Sequence, residues 1–251
     1  MLPVWLSDEF VFPDPARAHP RGLVALGGGL ETERLVAAYR RGIFPWYGEN
    51  DPPMWWSPDP RTVFLPETFH LSRSLLRQLR KNPVAIRIDT AFDQVVAACA
   101  TAPRPGQDGT WIVPEIRSAY LRLHEAGVAH SFEVWQCVPE ERLVGGVYGV
   151  ATGAIFCGES MFSGETGGSK TALAALMHFA LASGIRLVDC QFLTGHLASL
   201  GAFEISRAKY LRCLEEHAQA PAIEPDWRRA GAPLFADPDW PKRLLARQAG
   251  H

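Results

Sequence analysis

The chain has 251 residues, of which 47% are hydrophobic and 21% charged, a globular composition that excludes disorder as its general state. This length can bury a full core, as one large domain or two modest ones. A net charge of −2 argues against a general polyanion-binding surface and leaves room for a local basic patch.

The opening stretch, MLPVWLSDEFVFPDP, has no basic region followed by an apolar run, so no signal peptide is expected. No stretch approaches the length of a membrane span, and no membrane association is expected. Five cysteines (Cys99, Cys137, Cys157, Cys190, Cys213) lack C-x-x-C spacing and read as free thiols of a reducing cytosol. No H-E-x-x-H and no Cys/His cluster occurs, so no metal is expected.

Residues 1 to 30 are rich in Pro and Gly and read as irregular chain anchored by Trp5, Phe10 and Phe12. Glu31 to Arg41 reads as a short helix with Leu35, Val36 and Tyr39 inward and Gly42 as its stop. GIFPWYGENDPPMWWSPDPR, residues 42 to 61, is too Pro-rich for a helix and too aromatic for a solvated loop. Trp46, Tyr47, Trp55 and Trp56 there form either a packing plug or a stacking wall for a flat ligand.

His70 to Lys81 is helical by period, with Leu71, Leu75 and Leu79 inward. Arg73, Arg77, Arg80 and Lys81 lie on the other side, either a phosphate-tracking face or a plain solvated one. Val84 to Ile88 reads as a strand. Thr90 can cap a helix through Cys99, a loop over 101 to 110 delivers Trp111, and Pro114 opens a helix to Ala126. Residues 129 to 135, 142 to 150 and 153 to 157 then read as three strands of an antiparallel meander.

The polar chemistry gathers between Phe156 and Gln191: Glu159, Ser160, Ser163, Ser169, Lys170, Asp189 and Gln191. Ser169 can cap a helix with the apolar stripe Leu173, Leu176, Met177, Ala180 and Leu181, ended by Gly184. The run 185 to 192 reads as a buried strand on which Asp189 and Gln191, two apart, share a face. The pair is either a hydrogen-bonded tie between strand and loop or a site that handles an amine. GETGGSKT, residues 164 to 171, is not a P-loop, because Ser169 stands where Gly must precede the Lys. Ser206 to Glu216 reads as a last amphipathic helix, and the Pro-rich tail from Ala218 as surface chain. Element order alone is α/β with a mixed sheet.

LVDCQ (187–191), FCGESMFS (156–163) followed by SKTAL (169–173), LVGGVYGV (143–150), GTWI (109–112), RGIFPWY (41–47) and WWSPDPR (55–61) together resemble the leucyl/phenylalanyl-tRNA–protein transferases. The blocks are in order and run from about Leu23 to Leu211. The resemblance implies an α+β fold: a small N-terminal α/β domain, residues 1–62, ahead of an acetyltransferase-like (GNAT superfamily) mixed-sheet domain, residues 63–251. It implies transfer of Leu or Phe, and by extension Met, from aminoacyl-tRNA to proteins with N-terminal Arg or Lys. Such transfer marks them for the N-degron pathway, in the cytoplasm, by a monomer without cofactor.

By the same resemblance, Asp189 and Gln191 hold and activate the amine with support from Glu159, and Trp46, Trp111 and Tyr39 receive the 3′-terminal adenosine. Val147, Phe156, Met161, Leu173, Leu176 and Val188 line the aminoacyl pocket. Arg80 and Lys81, with Arg73 and Arg77, form the tRNA-backbone patch. Leu176 and Ala180 stand where some members carry larger aromatics, which implies a wider pocket. Two other readings compete: an acyl-CoA-dependent N-acyltransferase, and an adaptor that binds tRNA or N-termini without turnover.

Overall fold

A computed structural model describes residues 4–7, 11–103, 110–217 and 226–249. The first strands are β1 (Val4–Trp5), β2 (Leu23–Leu26), β3 (Phe44–Pro45) and β4 (Met54–Trp56), with helix α1 (Thr32–Tyr39) between β2 and β3. They form a four-stranded sheet in the order β1-β2-β4-β3. This corrects one expectation, irregular chain over residues 1–30, and gives strand structure to parts of the aromatic stretch 42–61. Strands of two to four residues between Pro and Gly are too short to show alternation in a sequence. Trp55 is the plug of this layer: it is fully buried, meets Phe12 edge-on at 4.8 Å, and its indole N–H donates to the Gly27 carbonyl at 2.9 Å.

The larger sheet begins with β5 (Arg61–Phe64), followed by α2 (Arg73–Lys81), β6 (Ala85–Ile88), α3 (Phe92–Thr101) and α4 (Pro114–Glu125). Then come β7 (Ala129–Gln136), β8 (Arg142–Thr152), β9 (Ile155–Ser163), α5 (Gly168–Ser183) and β10 (Leu187–Gln191). The chain closes with α6 (Gly195–Ser199), β11 (Phe203–Ile205), α7 (Arg207–His217), α8 (Trp227–Phe235) and α9 (Trp240–Ala249). Seven strands run in the order β11-β5-β10-β9-β8-β7-β6. The meander β7–β8–β9 is antiparallel, and β9 pairs with β10 in parallel through the crossover helix α5, so the sheet is mixed and the class α+β.

The two faces of the sheet carry two cores. One holds Leu35, Val63, Val95, Ile116, Tyr120 and Tyr148. The other holds Phe64, Phe132, Phe156, Leu176, Phe179 and Val188. Helix α5 sits tight on β8 at its start: a Cβ on Gly145 would lie 2.6 Å from the Gly168 Cα, so only glycine admits that approach.

Three further expectations are corrected. Helix α5 is entered through Gly167, at φ 85°, and Ser169 lies inside its first turn with its N–H on the Ser163 hydroxyl. Thr90 does not cap α3, because its hydroxyl and N–H are spent on the Glu133 carboxylate. From residue 226 the tail is not surface chain: α8 and α9 bring Trp227, Trp240 and Leu244 into the second core, each 3% exposed or less, while residues 218–225 lie outside the described residues. The apolar residues there are spaced too widely among Pro and Arg to announce two packed helices.

Candidate active site where two parallel strands part

The parallel register of β9 and β10 runs Leu187–Ile155, Val188–Phe156, Asp189–Cys157, and stops there. Beyond it each strand carries a bulge. On β9, Tyr148 faces Ser160 while Gly149 faces Gly158, so Glu159 is the extra residue. Gly149 makes this possible, since a Cβ there would meet the Cys157 carbonyl and the Phe156 ring below 3 Å. On β10, Asp189 faces Val63 and Gln191 faces Thr62, leaving Cys190 extra, and Gln191 sits at φ 56°, left-handed for a non-glycine residue. The bulge cancels the period of two, so Asp189 and Gln191 do not stand on one face as the sequence suggests.

Asp189 is 0% exposed and its carboxylate is fully engaged. Arg61 donates from Nε at 2.8 Å and from Nη2 at 2.6 Å, the Tyr210 hydroxyl donates at 3.2 Å, and the Gln191 backbone N–H at 3.0 Å. Arg61 is equally buried, gives Nη1 to the Gly42 carbonyl, and lies over the rings of Tyr210 and Phe44 at 4.4 and 4.9 Å. A carboxylate so occupied has no lone pair left for an incoming amine. Its geometric effect is to fix the backbone that presents Gln191. Arg61 and Tyr210 escaped the sequence reading as site residues; the only signal was that Arg61 ends the WWSPDPR block.

Gln191 is 8% exposed, and its Nε2 is buried without a hydrogen-bond partner. Glu159 is in the same state on the other strand: Oε2 accepts from the Tyr120 hydroxyl at 2.7 Å, while Oε1 is buried and unpartnered. Burial pushes the Glu159 carboxyl up to about 7, against the opposing pull of hydrogen bonds from Tyr120 and Tyr39. Tyr39 and Tyr120 share a 2.5 Å bond between hydroxyls, and burial raises both phenols. Buried polar atoms without partners are rare, and a group that binds there is one physical reason for them.

Of the residues assigned to the adenosine, Trp46 is 37% exposed and packs on Trp56 and Phe192, at 5.8 and 5.4 Å between centroids. Trp111 is half-buried and edge-on to Tyr120 at 6.5 Å. Tyr39 is 1% exposed and set behind Tyr120. Gly109 of the GTWI block and the loop before it (104–109) lie outside the described residues.

Val147, Phe156, Leu173, Leu176 and Val188 all belong to the core on the α5 face, with Met161 half-buried against it. On α2, Ser72 caps the helix, Leu75 faces in, and Arg73, Arg77, Arg80 and Lys81 are exposed, in no ion pair among the described residues. Among the described residues no His, Cys, Asp or Glu cluster could hold a metal, and no helix is long and apolar enough to cross a membrane.

A family model described as leucyl/phenylalanyl-tRNA protein transferase matches residues 63–215, and the model of that family's N-terminal domain matches residues 28–59. A Shewanella woodyi protein named leucyl/phenylalanyl-tRNA--protein transferase is 48% identical over 227 residues, 90% of this chain and 94% of its own length. One of the same name from Anaeromyxobacter sp. (strain Fw109-5) is 50% identical over 222 residues, 88% of this chain and 93% of its own. Among solved structures, FemX aligns at a TM-score of 0.43 and 13% identity, over 73% of this chain and 71% of that one. With both family models in place and near-half identity along nearly the whole sequence, the chain belongs to the leucyl/phenylalanyl-tRNA protein transferase family.

Proposed function

We propose that the chain transfers Leu or Phe from aminoacyl-tRNA to the α-amine of proteins beginning with Arg or Lys, at the parting of β9 and β10. The observation that carries this is the pair of buried, unpartnered polar atoms there, Gln191 Nε2 and Glu159 Oε1. Family membership supports the donor and acceptor classes.

The donor is an ester and the nucleophile an amine, so amide formation is downhill and needs no ATP. An α-ammonium has a pKa near ~8, so its deprotonation costs little at neutral pH. The chain therefore has to position the reactants and pass a proton from the amine to the 3′-oxygen of the tRNA, which leaves as a hydroxyl when the ester bond breaks. Glu159, raised to about 7, is matched to the proton. Gln191, an amide and a poor base, orients the amine or the ester carbonyl. Asp189, closed off by Arg61, acts as a positioning residue.

Trp46 and Trp111 stack the terminal adenine, at roughly 1–3 kcal/mol per base, and Tyr39 supports Trp111 through Tyr120. The exposed α2 cations follow the tRNA backbone. The same reading takes residues 1–62 as a small N-terminal domain and 63–251 as an acetyltransferase-like catalytic domain. The separating parallel strands and the junction of the two family models between residues 59 and 63 support it.

The test mixes purified protein with radiolabelled Phe-tRNA and a peptide beginning with Arg, beside a peptide beginning with Ala and a reaction given acetyl-CoA. Label only on the Arg peptide, and only from tRNA, is the expected result. Transfer from acetyl-CoA, or binding of tRNA without product, overturns it in favour of an N-acyltransferase or an adaptor.

A further inference from the structure

The segment that carries α8 and α9 lies beyond residue 215, where the match to the family model ends. Its first helical residue, Trp227, is 3% exposed and wedged among rings on the α5 face. It stacks on His130 at 3.9 Å with an interplanar angle of 1°. On its other sides it meets Phe179 at 4.8 Å, Phe156 at 5.9 Å and Phe132 at 6.2 Å. His130 is pinned in turn by Asp89 at 2.7 Å. The Asp226 carboxylate caps α8 by accepting the Arg229 N–H at 2.9 Å, and Arg228 bonds the Asp89 carbonyl. The indole is clamped, and Phe156 and Phe179 cannot recede toward it.

We propose that Trp227 is a specificity-determining residue that sets the depth of the aminoacyl pocket by backing Phe156. This rests on the assignment of Phe156 to that pocket. A close-packed wall has little give, so the space open to a donor side chain is fixed by what stands behind the lining ring. Leu176 and Ala180 on α5 are fully buried, and the α5 ring that meets Trp227 is Phe179. Trp227 closes this cluster of rings behind Phe156 from a segment outside the matched region. A smaller residue at 227 lets Phe156 swing back and admits a larger donor side chain.

The experiment measures kcat/KM with Leu-tRNA and with Phe-tRNA for Trp227→Leu, Trp227→Phe, Phe156→Leu and Trp240→Phe, with a melting curve for each. Trp240, on α9 of the same segment, packs on His178 and Phe235 and serves as the folding control. The Phe-to-Leu ratio is expected to rise roughly fivefold or more in Trp227→Leu, less in Trp227→Phe, and not at all in Trp240→Phe. If Trp227→Leu does not fold, Trp227→Phe decides by itself. A fixed ratio in both Trp227 variants while Phe156→Leu moves it overturns the proposal and leaves the pocket standing. A fixed ratio in Phe156→Leu as well overturns the pocket assignment and the proposal with it.

Discussion

Arg61 and Asp189, 128 residues apart in the chain, meet in a two-pronged ion pair at 2.8 and 2.6 Å with neither side chain more than 1% exposed. Removing one partner strands a buried charge, which costs about 3–5 kcal/mol, whereas replacing both with apolar residues is often neutral. Asp189→Ala is therefore expected to lower the melting temperature sharply, and Arg61→Met with Asp189→Leu to recover most of it. Transfer should stay low in the double variant, because the Gln191 N–H has lost its acceptor. Recovery of transfer together with stability would show that Asp189 does nothing beyond neutralising Arg61.

Gln191 is held in the left-handed region with an amide nitrogen that no protein atom satisfies. Glycine adopts that backbone freely, and the strain relieved is about 1 kcal/mol. Gln191→Gly is expected to raise the melting temperature while transfer falls by roughly a hundredfold, in the range of a lost positioned catalytic group. A variant both less stable and fully active would remove Gln191 from the site.

Glu159 ties activity to pH. Its carboxyl lies near 7 in the fold against 4.5 in the unfolded chain, so folding favours the neutral acid. The stability this gives is fully present below 4.5 and is lost as the pH rises through about 7. Glu159→Gln is expected to melt higher than the parent at pH 8.5, with little difference at pH 4. In kcat/KM the parent should show two rising limbs, one near 7 from Glu159 and one near ~8 from the acceptor amine. The Glu159→Gln profile should keep only the second; two limbs in the variant would assign the first to another group.

The α2 cations should act on affinity and leave chemistry alone. Arg80→Glu with Lys81→Glu is expected to weaken tRNA binding and to reduce the slope of log K against log salt by about 1 per lost phosphate contact. The single-turnover rate from bound donor should hold. An unchanged slope would move the nucleic-acid path to another face.

Where hydrophobic period and turn residues were strong, the sequence could be read directly. The meander from Ala129, the helix at Pro114 and the Gly184 stop of α5 all rest on such signals. The bulges were invisible, because one extra residue in a strand leaves alternation intact on either side and shows only in register. Arg61 was hidden for a related reason: nothing local marks a cation whose partner comes from a strand far down the chain. The tail misled because Pro233 stands inside α8, and a proline run reads as surface until its neighbouring tryptophans are seen to be buried.

Strand β5 lies between β10 and β11, so an early segment is flanked on both edges by strands made more than a hundred residues later. Loop closure over such distances comes late in folding, since its entropy must be offset by contacts that form together. Arg61 rides on β5, and its ion pair with Asp189 forms only when that closure happens. Competence and completion of the sheet are therefore one event: a refolding chain should regain transfer activity with its slowest phase, and no partly assembled form should carry out the reaction.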